Sequence, residues 1–146
     1  MEIREAENAD LEQLIELYMQ LNDNEMAVFD DRLWAIWREI LADKNHHIIV
    51  GEIDGDVISS CVIVIVPNLT HYQRPYALIE NVVTLEGYRG KGFATQILHH
   101  AKEIARRENC YKIMLMTGSK QKSTLRFYER AGYNRTDKTA FIQWLN

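Results

Sequence analysis

The stretch Tyr88-Arg89-Gly90-Lys91-Gly92-Phe93-Ala94 sets two glycines between a β-branched run and a long amphipathic segment. Such a junction is a strand-to-helix turn, where glycine lets the backbone approach a ligand and successive N–H groups converge on an anion. The dipole of the following helix and the charges of Arg89 and Lys91 add to the attraction, which suits a pyrophosphate better than a lone carboxylate. The turn matches neither the G-x-G-x-x-G dinucleotide fingerprint nor the G-x-x-x-x-G-K-[ST] phosphate loop. Taken alone, it reads equally well as a glycine-rich turn that holds nothing, so its surroundings decide.

On one side, Tyr76 to Leu85 is rich in Val and Ile and reads as a long strand. On the other, Phe93, Ala94, Ile97, Leu98, Ala101, Ile104 and Ala105 share a helical face while His99, Lys102, Glu103 and Arg106 point away, predicting a helix from Lys91 to about Arg107. Tyr111 to Thr117 follows as a strand, which makes a crossover unit whose first turn is where chemistry belongs. Ser123 to Ala131 is a short helix stopped by Gly132, and Tyr133 to Leu145 reads as a closing hairpin.

Upstream, His47 to Ile53 and Val57 to Val66 flank Asp54-Gly55, a strong hairpin signal, and Pro67 to Pro75 reads as a loop. Residues 2–6 form a short strand. Leu11, Leu14, Ile15, Tyr18 and Leu21 then recur at helical spacing behind a cap at Asn8 or Asp10, and Leu33, Ile36, Trp37, Ile40 and Leu41 repeat the pattern. The predicted order is β-α-α-β-β-β-α-β-α-β-β, an α/β fold with one mixed sheet flanked by helices.

At 146 residues the chain has the size of one domain, expected to span 1–146. With 47% hydrophobic and 26% charged residues it has the balance of a soluble globular protein. The net charge of -4 argues against a broad nucleic-acid surface. No apolar stretch approaches the length of a membrane span and the opening MEIREAENAD has no signal-peptide core, so no membrane partner and a cytoplasmic location are expected.

Cys61 and Cys110 lack C-x-x-C spacing and read as buried, reduced thiols. The adjacent pairs His46-His47 and His99-His100 point in different directions and cannot chelate by themselves. There is no H-E-x-x-H and no G-x-S-x-G, so no metal site and no hydrolase triad is expected. Trp34 and Trp37, near Asp23, Glu25, Asp30 and Asp31, fit part of a pocket for a cationic amine, but core packing and helix capping explain them more economically.

Three signals stand in order: Glu80-Asn81-Val82-Val83-Thr84 before the turn, the turn itself, and Phe127-Tyr128-Glu129-Arg130-Ala131-Gly132-Tyr133 after a helix and a strand. With them the sequence resembles the GNAT acetyltransferase family, whose pyrophosphate turn follows Q/R-x-x-G-x-G/A; Arg89, Gly92 and Ala94 occupy its fixed positions. The resemblance covers nearly the whole chain. It implies a GNAT-type acyl-CoA N-acyltransferase fold and acetyl-CoA as the acetyl donor. The pantetheine arm would pair with the backbone of Val82, Val83 and Thr84 like an added strand. The pyrophosphate would take N–H groups from Arg89, Gly90, Lys91, Gly92, Phe93, Ala94 and Thr95. Gln121 stands where the family often carries Asn, seven residues before Tyr128, and keeps the amide on a longer side chain.

Acetyl transfer needs the amine as a free base, yet an alkyl amine has an ordinary pKa of about 10.4. Glu80, in a largely apolar strand where burial would make it a stronger base, is the candidate general base; the alternative is a structural carboxylate paired with a cation. The resemblance implies that Tyr128 is the general acid that protonates the departing sulfur, and that a backbone N–H on the same strand as Glu80, that of Val83, receives the oxyanion. Asn81 alternates to the opposite strand face and joins Glu80 at a substrate only if the strand is bulged there.

The acceptor stays open between a small amine, a protein lysine or N-terminus, and an amino-sugar phosphate. Asn109 to Ile113 and Ile79 to Val83 resemble segments of glucosamine-phosphate N-acetyltransferases. A non-catalytic acetyl-CoA sensor is the remaining class, and a homodimer is compatible with each.

Overall fold

The structure, a computed structural model, describes residues 1–21 and 24–146; Asn22 and Asp23, within the acidic stretch, lie outside the described residues. Internal contacts divide the chain into Met1–Leu115 and Met116–Asn146.

The first unit contains β1 (Glu2–Glu5), α1 (Leu11–Tyr18), α2 (Asp31–Ala42), β2 (His46–Ile53), β3 (Asp56–Val66), α3 (Thr70–Gln73), β4 (Tyr76–Thr84), α4 (Phe93–Arg107) and β5 (Ile113–Leu115). The five strands form one sheet in the order β1-β2-β3-β4-β5, antiparallel except for the parallel β4–β5 pair. Local chemistry fixes its first turn. Asp54 at φ 51° and Gly55 at φ 86° are both left-handed, as a two-residue hairpin demands, and Ile53 pairs with Asp56 across the turn.

Alternation along the strands buries both faces. Ile48, Val50, Val57, Val62 and Val83 pack with Leu11, Leu14 and Leu17 of α1 and Trp37 of α2. Ile49, Ile63 and Ile79 alternate to the other face, where Ile97, Leu98, Ala101, Ile104 and Ala105 form the buried side of α4. α4 packs against β2, β3 and β4. The result is a three-layer arrangement with the sheet in the middle.

Asp30 caps α2 by accepting the Leu33 N–H at 2.9 Å, and Trp37, buried, donates its indole N–H to the Asn8 carbonyl at 3.3 Å. Trp34 packs against the same core and beside Phe29. Packing and capping account for these residues. Asp10, also buried, anchors the entry to α1: its carboxylate takes both Arg4 Nη atoms at 2.7 and 2.9 Å and the Glu7 N–H at 2.7 Å, while Arg4 also reaches Glu52 at 2.7 Å. The Arg4 hydrogen bonds hold the Asp10 carboxyl below the usual carboxylate range.

The loop between β3 and β4 is more structured than its sequence suggests. α3 is a single turn in which His71, Tyr72 and Gln73 stand at φ 52°, 60° and 58°.

The second unit contains α5 (Lys122–Arg130). Its C-terminal portion differs from the sequence reading: among the described residues no strand forms between Tyr133 and Leu145, and every residue from Asn134 to Asn146 is exposed.

Candidate functional site

β4 departs from regular pairing midway. Val62 pairs with Glu80 and Ser60 with Val83, so Cys61 alone stands opposite both Asn81 and Val82. This is a β-bulge, and Asn81 absorbs it at φ 52°, a left-handed conformation that Asn tolerates better than most residues. The extra residue shifts the alternation. Glu80 stays on the face of Val62, the α1 side of the sheet, and Val83 returns to that face as well. Asn81 turns the same way, since its side chain meets the hydroxyl of Tyr18 from α1. The bulge therefore brings Glu80 and Asn81 to one side, which a regular strand forbids.

Glu80 is exposed, as is Asn81. This corrects the expectation that burial would make Glu80 a stronger base: the apolar neighbours Ile79 and Val83 are buried, whereas Glu80 faces outward at the strand's open end. Tyr18 was not singled out by the sequence, because its place in the α1 stripe reads as packing. Its hydroxyl faces Asn81 and Ser60, and burial pushes it up to about 12. The Cys61 thiol under the bulge is fully buried and is likewise pushed up to about 12 by desolvation.

The parallel pairing with β5 covers only Ala77, Leu78 and Ile79. From Glu80 to Thr84, β4 has no strand beside it on that edge among the described residues. Backbone N–H and C=O groups on this edge are open to an extended ligand. The far end of the open stretch is fixed. Ser59 Oγ lies 2.8 Å from Thr84 Oγ1, Leu85 donates its N–H to the Ile58 carbonyl at 2.8 Å, and Arg89 Nε donates to the Thr84 carbonyl at 3.0 Å.

After a short turn over Glu86–Tyr88 the chain reaches the glycines. Gly90 and Gly92 stand at φ 74° and 83°, and a Cβ at either would meet nothing within 4 Å. Both need left-handed backbone and both border open space. Gly92 is the N-cap of α4, and the first intrahelical bond runs from the Gln96 N–H to the Gly92 carbonyl at 3.2 Å. The N–H groups of Phe93, Ala94 and Thr95 thus precede the helical ladder, and no side chain caps them. A concave run of donors at the positive end of a fifteen-residue helix fits a phosphate oxyanion.

The two cations of the turn are placed differently from one another. The Arg89 guanidinium turns back toward Thr84 and donates Nη2 to Gln20 Oε1 at 3.1 Å, tying the end of β4 to the segment after α1. Lys91 Nζ lies 5.6 Å from the centre of the Tyr88 ring. Arg89 therefore braces the turn.

In the second unit, Gln121 is the exposed N-cap of α5 and its backbone N–H donates to Ser119 Oγ at 3.2 Å. Tyr128 lies on α5, half-buried, with its ring centre 4.9 Å from that of Phe127 and 6.3 Å from that of Tyr133, the latter edge-on. Among the described residues, no group of three His, Cys, Asp or Glu side chains is placed to hold a metal ion. No described helix is long and apolar enough to cross a membrane.

Comparison with known proteins identifies relatives of the chain. The profile of the Acetyltransferase (GNAT) family matches residues 9–133. The glucosamine 6-phosphate N-acetyltransferase of Trypanosoma brucei brucei is 32% identical over 84 residues, 58% of this chain and 55% of that protein. The aminoalkylphosphonate N-acetyltransferase of Salmonella typhimurium is 28% identical over 137 residues, covering 92% of this chain and 86% of that one. The chain thus spans about half the length of the trypanosome relative and most of the Salmonella one. A solved structure from Agrobacterium tumefaciens str. C58, provisionally described as an acetyltransferase, superposes with a TM-score of 0.91 at 38% identity, over 99% of this chain and 100% of that one.

Proposed function

The chain belongs to the GNAT acetyltransferase family, and from that premise we propose that it moves the acetyl group of acetyl-CoA onto a primary amine of a small molecule by direct attack. The observation that carries this reading is the continuity of the bulge at Asn81, the open edge of β4 to Thr84, and the glycine turn whose first-turn N–H groups lie outside the helix ladder. These features in this order suit an extended chain ending in a pyrophosphate.

In this reading the backbone of Val82, Val83 and Thr84 pairs with the pantetheine arm, and N–H groups from Gly90 to Thr95 take the pyrophosphate. Arg89 acts by bracing, Lys91 supplies charge, and Gln121 offers an amide to the cofactor. The acceptor nitrogen, freed of its proton by Glu80 directly or through water, attacks the thioester carbonyl carbon. The Val83 N–H receives the oxyanion. As the tetrahedral intermediate collapses the C–S bond breaks, an amide forms, and Tyr128 protonates the leaving thiolate. Asn81 contacts the acceptor. In this reading residues 1–146 act as one catalytic domain, placed in the cytoplasm.

The names of two relatives support a narrower reading of the acceptor. Glucosamine 6-phosphate and an aminoalkylphosphonate each join an amine to a phosphorus oxyanion, and this favours an amine that carries a phosphate or phosphonate. The test is a screen for free CoA thiol released from acetyl-CoA by matched amines with and without that group. Release that depends on the amine supports the transfer, and stronger release with the phosphorylated partner supports the narrower class. No release with any amine, despite acetyl-CoA binding, would leave the chain a sensor and refute the proposal.

A further inference from the structure

The flank of α4 carries a second concentration of donors, away from the glycine turn. Gln96, His99, His100 and Glu103 recur at the spacing of one helical face, and with Lys102 and Ile3 of β1 they line a cavity of about 400 Å³. All of these residues belong to the unit Met1–Leu115. At the rise of an α-helix, His100 stands about 12 Å along the axis beyond Gly92. The cavity and the turn are separate places on one helix.

One ion pair decides the charge of the lining. Glu103 is the acid among these residues, and its carboxylate is held by Arg106 at 2.7 Å. The Lys102 ammonium, the imidazoles of His99 and His100 and the Gln96 amide have no side-chain hydrogen bond or ion pair among the described residues. Exposed donors are ordinarily spent on water one at a time. Here they line one concavity beside an acid that is already neutralised, with the half-buried Ile3 as its apolar wall. A lining of this kind suits a small anion with a short apolar stem.

We propose that the cavity between α4 and β1 binds a small organic anion, a phosphate ester or a carboxylate, at a site separate from the glycine turn. Lys102 supplies the charge, His99, His100 and Gln96 donate N–H groups, and Ile3 packs against the stem. A neutral imidazole carries one N–H and a protonated one carries two, so each ring donates in either state. Charges separated by more than the Debye length of roughly 8 Å at physiological salt are largely screened from one another. The site therefore fills whether or not the turn is occupied.

Titration of the full chain with methyl phosphate and with propionate at constant ionic strength tests the proposal, read by the ring-proton signals of His99 and His100 and the methyl signals of Ile3 in NMR spectra. These signals should move saturably, with half-saturation at about millimolar concentration, and the probe that saturates first separates a phosphate from a carboxylate ligand. His99 and Lys102 are exposed, so combining His99→Ala with Lys102→Ala leaves circular dichroism unchanged while half-saturation, read at His100 and Ile3, rises at least about tenfold. Saturating acetyl-CoA should leave the bound probe in place. Shifts that grow linearly with both probes, an unchanged half-saturation in the double variant, or displacement of the probe by acetyl-CoA would each overturn the site.

Discussion

The Tyr18 hydroxyl on α1 meets the Asn81 side chain at the bulge of β4. The contact links a helix to the one residue whose left-handed backbone turns Glu80 and Asn81 to the same side. Because burial pushes that hydroxyl up to about 12, it stays neutral and able to donate across the working pH range. Tyr18→Phe keeps the ring and removes the contact. A net hydrogen bond is worth about 1 kcal/mol, so kcat should fall roughly threefold to tenfold with the shape of the pH–rate profile unchanged. Ser60 Oγ keeps its bond to the Ile49 carbonyl, so melting should move little. Steady-state kinetics across pH checks this.

Glu80→Gln should lower the rate mostly below the acceptor's own pKa, where proton removal is needed, and higher pH should partly restore it. The measurement is kcat/KM against pH for both proteins. A loss that is uniform in pH would return Glu80 to a structural role, and no loss would move the base to a water held elsewhere.

The glycine turn and the Asp54-Gly55 hairpin were legible because each is fixed by its own residues: left-handed backbone needs Gly, Asn or Asp at set positions. The bulge at Asn81 was not. Alternation read through Ile79, Glu80 and Asn81 places the two polar residues on opposite faces, and only the register against Ser60 and Val62 shows otherwise. A polar pair inside an apolar run, with Asn second, was the one available signal. Tyr18 was hidden for a related reason, since a tyrosine on an apolar stripe packs its ring and reveals its hydroxyl partner only in three dimensions. The C-terminal segment has aromatic and β-branched residues suited to a strand, but composition does not specify a partner, and among the described residues the expected hairpin does not form.

Asp10→Asn tests the anchor of α1. The carboxyl, with a side chain only 7% exposed, lies below its ordinary value of 3.8 chiefly because of Arg4. The folded state then binds fewer protons than the unfolded state between the two values. Its stabilisation is complete above the ordinary value and is lost as pH falls through the folded one. The variant should lose about 1–3 kcal/mol at neutral pH and show a shallower decline on acidification below pH 4. Chemical denaturation at a series of pH values reads both effects.

Tyr128→Phe separates a general acid from a packing residue. If the hydroxyl protonates the leaving thiolate, kcat should drop by about 10²- to 10⁴-fold with acetyl-CoA affinity and melting temperature nearly unchanged. A near-normal rate would mean that water protonates the thiolate. A large fall in melting temperature would make the hydroxyl a structural donor.

The central claim is that the turn at Gly92 holds the pyrophosphate of acetyl-CoA, and calorimetric titration of acetyl-CoA into the wild type, Gly92→Asn and Gly92→Asp tests it most directly. Both substitutions impose the same left-handed strain at φ 83° and both enter open space, so they differ only in charge. The account predicts that Asp weakens binding at least about tenfold beyond Asn, or about 1.4 kcal/mol, with the loss shrinking as salt screens the added charge. Equal affinities for the two variants, or wild-type affinity in both, would contradict it.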